Sequence, residues 1–424
     1  MTEASQPASA AAPASPEPQG GTALPRGSTR RPILERFGLR YFERRSSKVP
    51  LPEAVDEVHF LNPDERRALR AISRGTVSRA TFAGALSGLA SALAEIWATG
   101  SLAVSVSAET GLLADWEQNA AFWGVVLGIT GVATALEISF LYWDSLRSVH
   151  ALSRAAGMPL FEDDGTERNA VVALVRAAME LPNPADAMLG VDPRREISRW
   201  RVVLAALIYK AKVGVTNFAV KMFVRRFLGR IALRTWLPLM AVPVTAAWNA
   251  IVSYRVLRES RLRVMGPSAA GELAEVLVGS GDQPALTVDE GVAALRAVAA
   301  SVVRTRDMHP NLAELIVEVA CRVPPPPDEA PLDDWSLYLE QLPTLDAAVR
   351  RRVLLLHVTS IIIDGRVNPR ELSLLRTACA QSDHHMDVDA LREYHRRFVR
   401  GDAFDRDLLF AIVHEGPARS EPAE

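Results

Sequence analysis

Residues 81–106 read TFAGALSGLASALAEIWATGSLAVSV and residues 120–143 read AAFWGVVLGITGVATALEISFLYW, each with a single charge, Glu95 and Glu137. At 1.5 Å per helical residue, both exceed the ~20 residues that cross a hydrocarbon core about 30 Å thick. Gly84, Gly88 and Ser91 recur at spacings of four and three in the first run, which lets helices approach closely in lipid. Trp97, Trp116, Trp123 and Trp143 lie within or near the ends of the runs, where aromatic belts form. Arg66, Arg67, Arg70, Arg74 and Arg79 precede the first run and Arg147 and Arg154 follow the second, whereas residues 107–119 hold Glu109, Asp115 and Glu117 and no base. Positive charge stays on the cytoplasmic side, so a transmembrane hairpin over 80–146 is predicted, with its short acidic loop outside. The alternative is a pair of long helices buried in a large soluble bundle.

The remainder of the chain is mixed. Its 424 residues exceed one ordinary core. With 49% hydrophobic and 23% charged residues, the apolar content must be concentrated. Forty-eight basic against 50 acidic residues leave a net charge of −2, which excludes a nucleic-acid protein relying on a global basic surface. Cys321 and Cys379 are too few for a disulfide framework or a zinc ribbon. Residues 1–50 begin as an Ala/Pro/Ser/Gly-rich tract without a signal sequence, and 416–424 form a polar tail. Both are expected to be disordered, with the N-terminus in the cytoplasm. Residues 51–79 predict a basic juxtamembrane helix starting at Asn62, with Pro63 at its first position and acids in its first turn.

Beyond a helical connector at 147–195, residues 196–265 form a second apolar region with Lys210 and Lys212 inside it. A stretch without charge, 235–254, follows. If both halves crossed the membrane, the basic middle, with Lys221, Arg225, Arg226 and Arg230, would be exported against the charge rule. The favoured arrangement is a basic amphipathic helix on the cytoplasmic lipid surface, then an apolar helix that re-enters or packs on the hairpin. A second full hairpin is the alternative. Glu95 falls roughly 16 Å inward from the outer side and Glu137 roughly 9 Å from the inner end, so the two do not make a carboxylate pair. A charge in lipid needs a partner, and Lys212 is the one expected for Glu95.

Residues 266–415 carry apolar side chains at helical spacing. At an offset of 59 residues Ser301, Pro310 and Leu315 match Ser360, Pro369 and Leu374, while Val302, Val303 and Ile316 align with Ile361, Ile362 and Leu375. Unless these matches are chance, they predict two helix-turn-helix hairpins. Within the second, residues 354–376 read LLLHVTSIIIDGRVNPRELSLLR. Gly365 supplies a turn at a helix end, Asn368 caps the next helix and Pro369 takes its first position. With Asp364, Val367, Glu371, Leu374 and Leu375, this segment resembles the tellurite-resistance TerB-like helical domains over roughly 350–415. The resemblance implies a small all-α module, whose turn acids have been regarded in the family as metal ligands. Here Arg366 and Arg370 stand among the acids, and calcium-loop spacing from Asp364 would put Arg366 and Leu375 at ligand positions. No metal is therefore expected at the turn.

His384, His385, Asp387 and His395 lack zinc-site spacing and read as exposed loop residues. No phosphate loop, dinucleotide fingerprint or nucleophile elbow is present. The expected whole is all-α: a transmembrane hairpin, membrane-associated helices and a C-terminal soluble TerB-like domain, without cofactor. Such a chain would be a non-enzymatic protein of a bacterial inner membrane, both termini cytoplasmic, with lipid and an unidentified protein as partners and no nucleic acid. A transporter or channel component using Glu95 and Lys210 or Lys212 is the alternative, and would have to act as a homo-oligomer.

Overall fold

Asn62 starts the longest helix of the structure, a computed structural model describing residues 32–46, 60–102, 119–158, 165–183, 187–195, 239, 241–279, 284–328 and 330–415. Its side chain accepts from the amides of Asp64 and Glu65, and the Glu65 carboxylate accepts from the Asn62 amide. This reciprocal cap satisfies donors that the first turn would leave open and contributes on the order of 1 kcal/mol. The helix runs unbroken over Pro63–Ser101 (α2), so the basic juxtamembrane segment and the first apolar run are one element. It follows α1 (Ile33–Ser46). That helix corrects the expectation of disorder through residue 50: Glu35, Gly38, Leu39 and Phe42 form a buried face, and Arg176 donates to the Glu35 carboxylate at 2.6 Å.

The second apolar run lies in α3 (Ala120–Ala155). Both α2 and α3 are long and apolar enough to cross a membrane. α4 (Gly165–Ala178) packs on α1 and α3. α5 (Ala241–Val278) is continuous through residues 265 and 266, so no element boundary separates the apolar stretch from the C-terminal block. Pro267 lies inside it and lacks the amide that would sustain the ladder. Asn311 Nδ2 reaches in to donate to Leu262 O at 3.0 Å, and also donates to Ile363 O at 2.7 Å.

The C-terminal block contains α6 (Val288–Thr305), α7 (Pro310–Arg322), α8 (Trp335–Gln341), α9 (Ala347–Ile363), α10 (Pro369–Gln381), α11 (Val388–Arg400) and α12 (Arg406–Ala411). The offset of 59 residues carries α6 onto α9 at its first residue, and α7 onto α10 at both ends. It also pairs the left-handed residues after α6 and α9, Arg306 (φ 60°) and Gly365 (φ 72°). The matched serines touch, Ser301 Oγ to Ser360 Oγ at 2.6 Å, so the two units meet at equivalent positions. Around them Leu295, Val298, Val302, Leu354, Val358 and Ile361 are buried. Two short strands also form, β1 (His384–Met386) and β2 (Val413–Glu415), antiparallel with His385 opposite His414.

Candidate functional site

The three long helices α2, α3 and α5 meet on small and polar side chains. On α2 the inward residues are Ala80, Gly84, Ser87, Gly88, Ser91 and Ala98. Gly84 is needed there because a Cβ would stand 2.6 Å from Thr245 O of α5. Thr245, Asn249 and Ser253, one turn apart, make the matching buried face of α5. Thr245 Oγ1 donates to Gly84 O at 2.8 Å, and Asn249 Nδ2 donates to Glu137 Oε1 at 2.6 Å. Toward the start of α2, Arg79 Nε donates to Asp144 Oδ1 at 2.8 Å, and Thr76 Oγ1 donates to Ser148 Oγ at 2.8 Å. Glu137 is thus buried with an amide partner that came from the uncharged stretch. Glu95 is half-buried on α2. Lys210, Lys212, Lys221, Arg225, Arg226 and Arg230 lie outside the described residues, and with them the expected pairing of Lys212 and the basic lipid-facing segment.

The outward faces of α2 and α3 carry large apolar residues. Phe82, Leu86, Leu89, Leu93 and Trp97 form an exposed stripe at helical spacing on α2, and Leu127, Val132 and Leu136 are exposed on α3. On α2 small residues face inward and large apolar ones outward, whereas α3 buries Phe122 and Val126 and leaves Gly124, Gly128 and Gly131 exposed. Each such side chain left in water forgoes roughly 1.5–3 kcal/mol of burial.

The second cluster lies where α5 meets both repeat turns. Glu259 accepts at one oxygen from His309 Nε2 (2.9 Å) and Arg263 (3.0 Å), and at the other from Arg366 Nη2 (2.9 Å). His309 Nδ1 accepts from the Asn311 amide at 3.2 Å, which leaves Nε2 to donate. Burial opposes ionisation of Glu259, but the His309 hydrogen bond and the Arg263 and Arg366 guanidiniums outweigh it and hold the carboxyl well below the usual range. Arg263 is buried and donates onward to Ala173 O at 2.7 Å and Asn183 Oδ1 at 2.8 Å. A single carboxylate therefore ties α4, α5 and both turns together.

The expected turn residues assemble beside it. Asp364 ends α9 and its Oδ1 accepts from the Arg366 amide at 2.7 Å; Asn368 caps α10 with Pro369 at the first position. Gly365 holds φ 72°, and a Cβ there would run into Leu262. Arg258 Nη2 donates to Gly365 O at 2.8 Å. Burial pushes the Asp364 carboxyl up to about 6, the Arg366 contacts offsetting part of the push.

Glu371 departs from the surface acid of an ordinary first turn. It is fully buried and neither carboxyl oxygen has a hydrogen-bond partner. Burial, then the Asp364 carboxylate, pushes it up to about 9; the Ser301 hydroxyl and the Asn368 backbone stand near it outside hydrogen-bonding geometry and offset this only in part. The repeat supplies an internal comparison. The slot one offset earlier holds Leu312, equally buried, so the fold accepts a plain hydrocarbon there.

The histidines do not converge. His384 is buried on β1 with Nδ1 at 2.6 Å from Ser382 O, His385 stands on the exposed side, Asp387 caps α11, and His395 is partly buried near Gly365. The loop expected there is a strand, because pairing with residues 413–415 closes it. Among the described residues no group of three or more metal-ligating side chains comes together. Sequence alone does not single out Glu259 and His309, because Glu259 and Arg263 look like an ordinary exposed ion pair one turn apart.

No protein-family model matches the chain, and no curated protein or solved structure matches it.

Proposed function

We propose that the chain is a non-enzymatic bacterial inner-membrane protein, anchored by the α2–α3 hairpin and presenting its C-terminal helical repeat, a TerB-like module, to a protein partner in the cytoplasm. The observation that carries the anchoring is the inverted packing of α2, joined by the exposed apolar face of α3. A soluble core helix buries its largest apolar residues, whereas Phe82, Leu86, Leu93, Val132 and Leu136 are more than half exposed and Gly84 and Gly88 are buried. Hydrocarbon removes the free-energy penalty of that exposure, and small-residue faces suit helices packed in lipid. The interaction role is supported by the build of the C-terminal block, two packed helix hairpins with capped turns and polar surfaces. Lipid is then one partner and an unidentified protein the other.

The test is topology in intact cells with a permeabilised outer membrane. A cysteine at position 112 should react with an impermeant thiol reagent, and Cys321, which is exposed, should react only after the inner membrane is opened. Protection at 112 together with labelling of Cys321 would overturn the orientation.

A further inference from the structure

α1 has two unlike faces. Its inner face, Glu35, Gly38, Leu39 and Phe42, is buried. Its exposed residues are Ile33, Leu34 and Phe37, four arginines (Arg36, Arg40, Arg44 and Arg45) and one acid, Glu43. Ile33 is 75% and Phe37 56% exposed, high values for large apolar residues on a helix already docked to its own protein.

The packing fixes where this face lies. Gly38 packs on Val175 and Leu146, the Phe42 ring meets His150 edge-on at 5.3 Å, and Ser46 Oγ is 3.2 Å from His150 Nε2. Leu146 is three residues past Trp143, the end of the apolar run, or roughly 4.5 Å along α3, and His150 is roughly 10 Å along. As α1 runs from Gly38 to Ser46 it recedes from the apolar run, so Ile33, Leu34 and Phe37 occupy its near end. At that level Arg147 lies over the exposed Trp143 ring at 5.6 Å, an aromatic and basic pair suited to the headgroup layer.

We infer that α1 is an interfacial helix that seats Ile33, Leu34 and Phe37 in the inner leaflet and lays Arg36, Arg40 and Arg44 on anionic headgroups, making the bilayer surface its outer partner. The inference rests on the hairpin spanning the membrane. It extends that reading to a segment outside the hairpin. An apolar tip with net positive charge beside it matches the chemistry of a leaflet edge, where each basic residue adds to attraction for anionic lipid.

Spin labels at Phe37→Cys, Ile33→Cys and, as the hairpin's own control, Val132→Cys would be placed singly in the full chain on a Cys321→Ser background. The protein would be reconstituted in vesicles of phosphatidylcholine alone or with equal parts phosphatidylglycerol. Oxygen should relax the labels at 33, 37 and 132 several-fold more than a water-soluble nickel chelate does. Reversing Arg36, Arg40 and Arg44 to Glu should lower that ratio at 37 several-fold in the anionic vesicles and leave 132 unchanged. A lipid-exposed label at 132 with aqueous labels at 33 and 37 overturns the inference and leaves the hairpin standing. Aqueous labels at all three positions overturn both. Immersion at 37 unaffected by charge reversal removes the anionic partner, and dipolar broadening between labels at 37 assigns the face to a second copy of the chain instead.

Discussion

Replacing Glu371 with Gln should stabilise the protein and flatten its pH dependence. The carboxyl is pushed up to about 9 when folded, against an ordinary value of 4.5. Between those values the folded chain holds a proton that the unfolded chain has released, so stability falls as pH rises. The slope is about 1.4 kcal/mol per pH unit per group. From pH 4.5 to pH 7 the wild type thus loses about 3 kcal/mol through this side chain. The decline continues until pH reaches about 9. Asp364, raised to about 6, adds its own slope at lower pH and has finished titrating above about 7. Burial and the neighbouring Glu318 raise Glu314 to about 7, and it has largely finished titrating above about 8, so the window from pH 8 to 9 isolates Glu371. Glutamine keeps the shape without the charge, and Glu371→Leu copies the side chain that Leu312 places in the twin slot. Both variants should exceed wild type at pH 8 by about 3–5 kcal/mol. Pulse proteolysis of the full-length protein in urea at several pH values reads this directly. A wild-type slope that persists in Glu371→Gln between pH 8 and 9, or a variant less stable than wild type at pH 8, would refute the assignment of a buried neutral carboxyl.

Gly365→Ala should cost about 2 kcal/mol, from the left-handed φ and from displacement of Leu262, read as a lowered urea midpoint. Gly84→Leu should lower the melting temperature in detergent by several degrees because the added side chain meets α5 backbone. Gly100→Leu, where a Cβ meets nothing within 4 Å, should leave it in place, and equal effects at the two sites would dismiss the close α2–α5 contact.

What could be read from sequence was local. The start at Asn62 and Pro63 was legible because the whole cap lies within four residues, and the repeat because it preserves turn residues at one offset. α1 was hidden by the Ala/Pro-rich tract before it, and its stabilising partner Arg176 lies 141 residues away. Gly266 and Pro267 imply a break, yet Asn311, from another helix, supports the neighbouring carbonyl and α5 continues. Glu371 looks like a helix-start acid in sequence, and only the packing of α6 and α9 decides that the position faces inward. The strands β1 and β2, three residues each and paired across a whole helix hairpin, carry no alternating pattern long enough to detect.

The continuity of α5 bears on how the protein meets whatever it binds. Asn249, against the hairpin, and Glu259, between the repeat turns, are ten residues apart on one helix, about 15 Å. A flexible linker of that length would let the module sweep a broad volume and approach a target in many orientations. A helix clamped at both ends removes that search. In a bilayer the module would stand at one height and one bearing, like a fitting on a short post, so a partner must reach that spot near the membrane surface, and lengthening or untwisting the post by a single residue would rotate the whole module by about 100°.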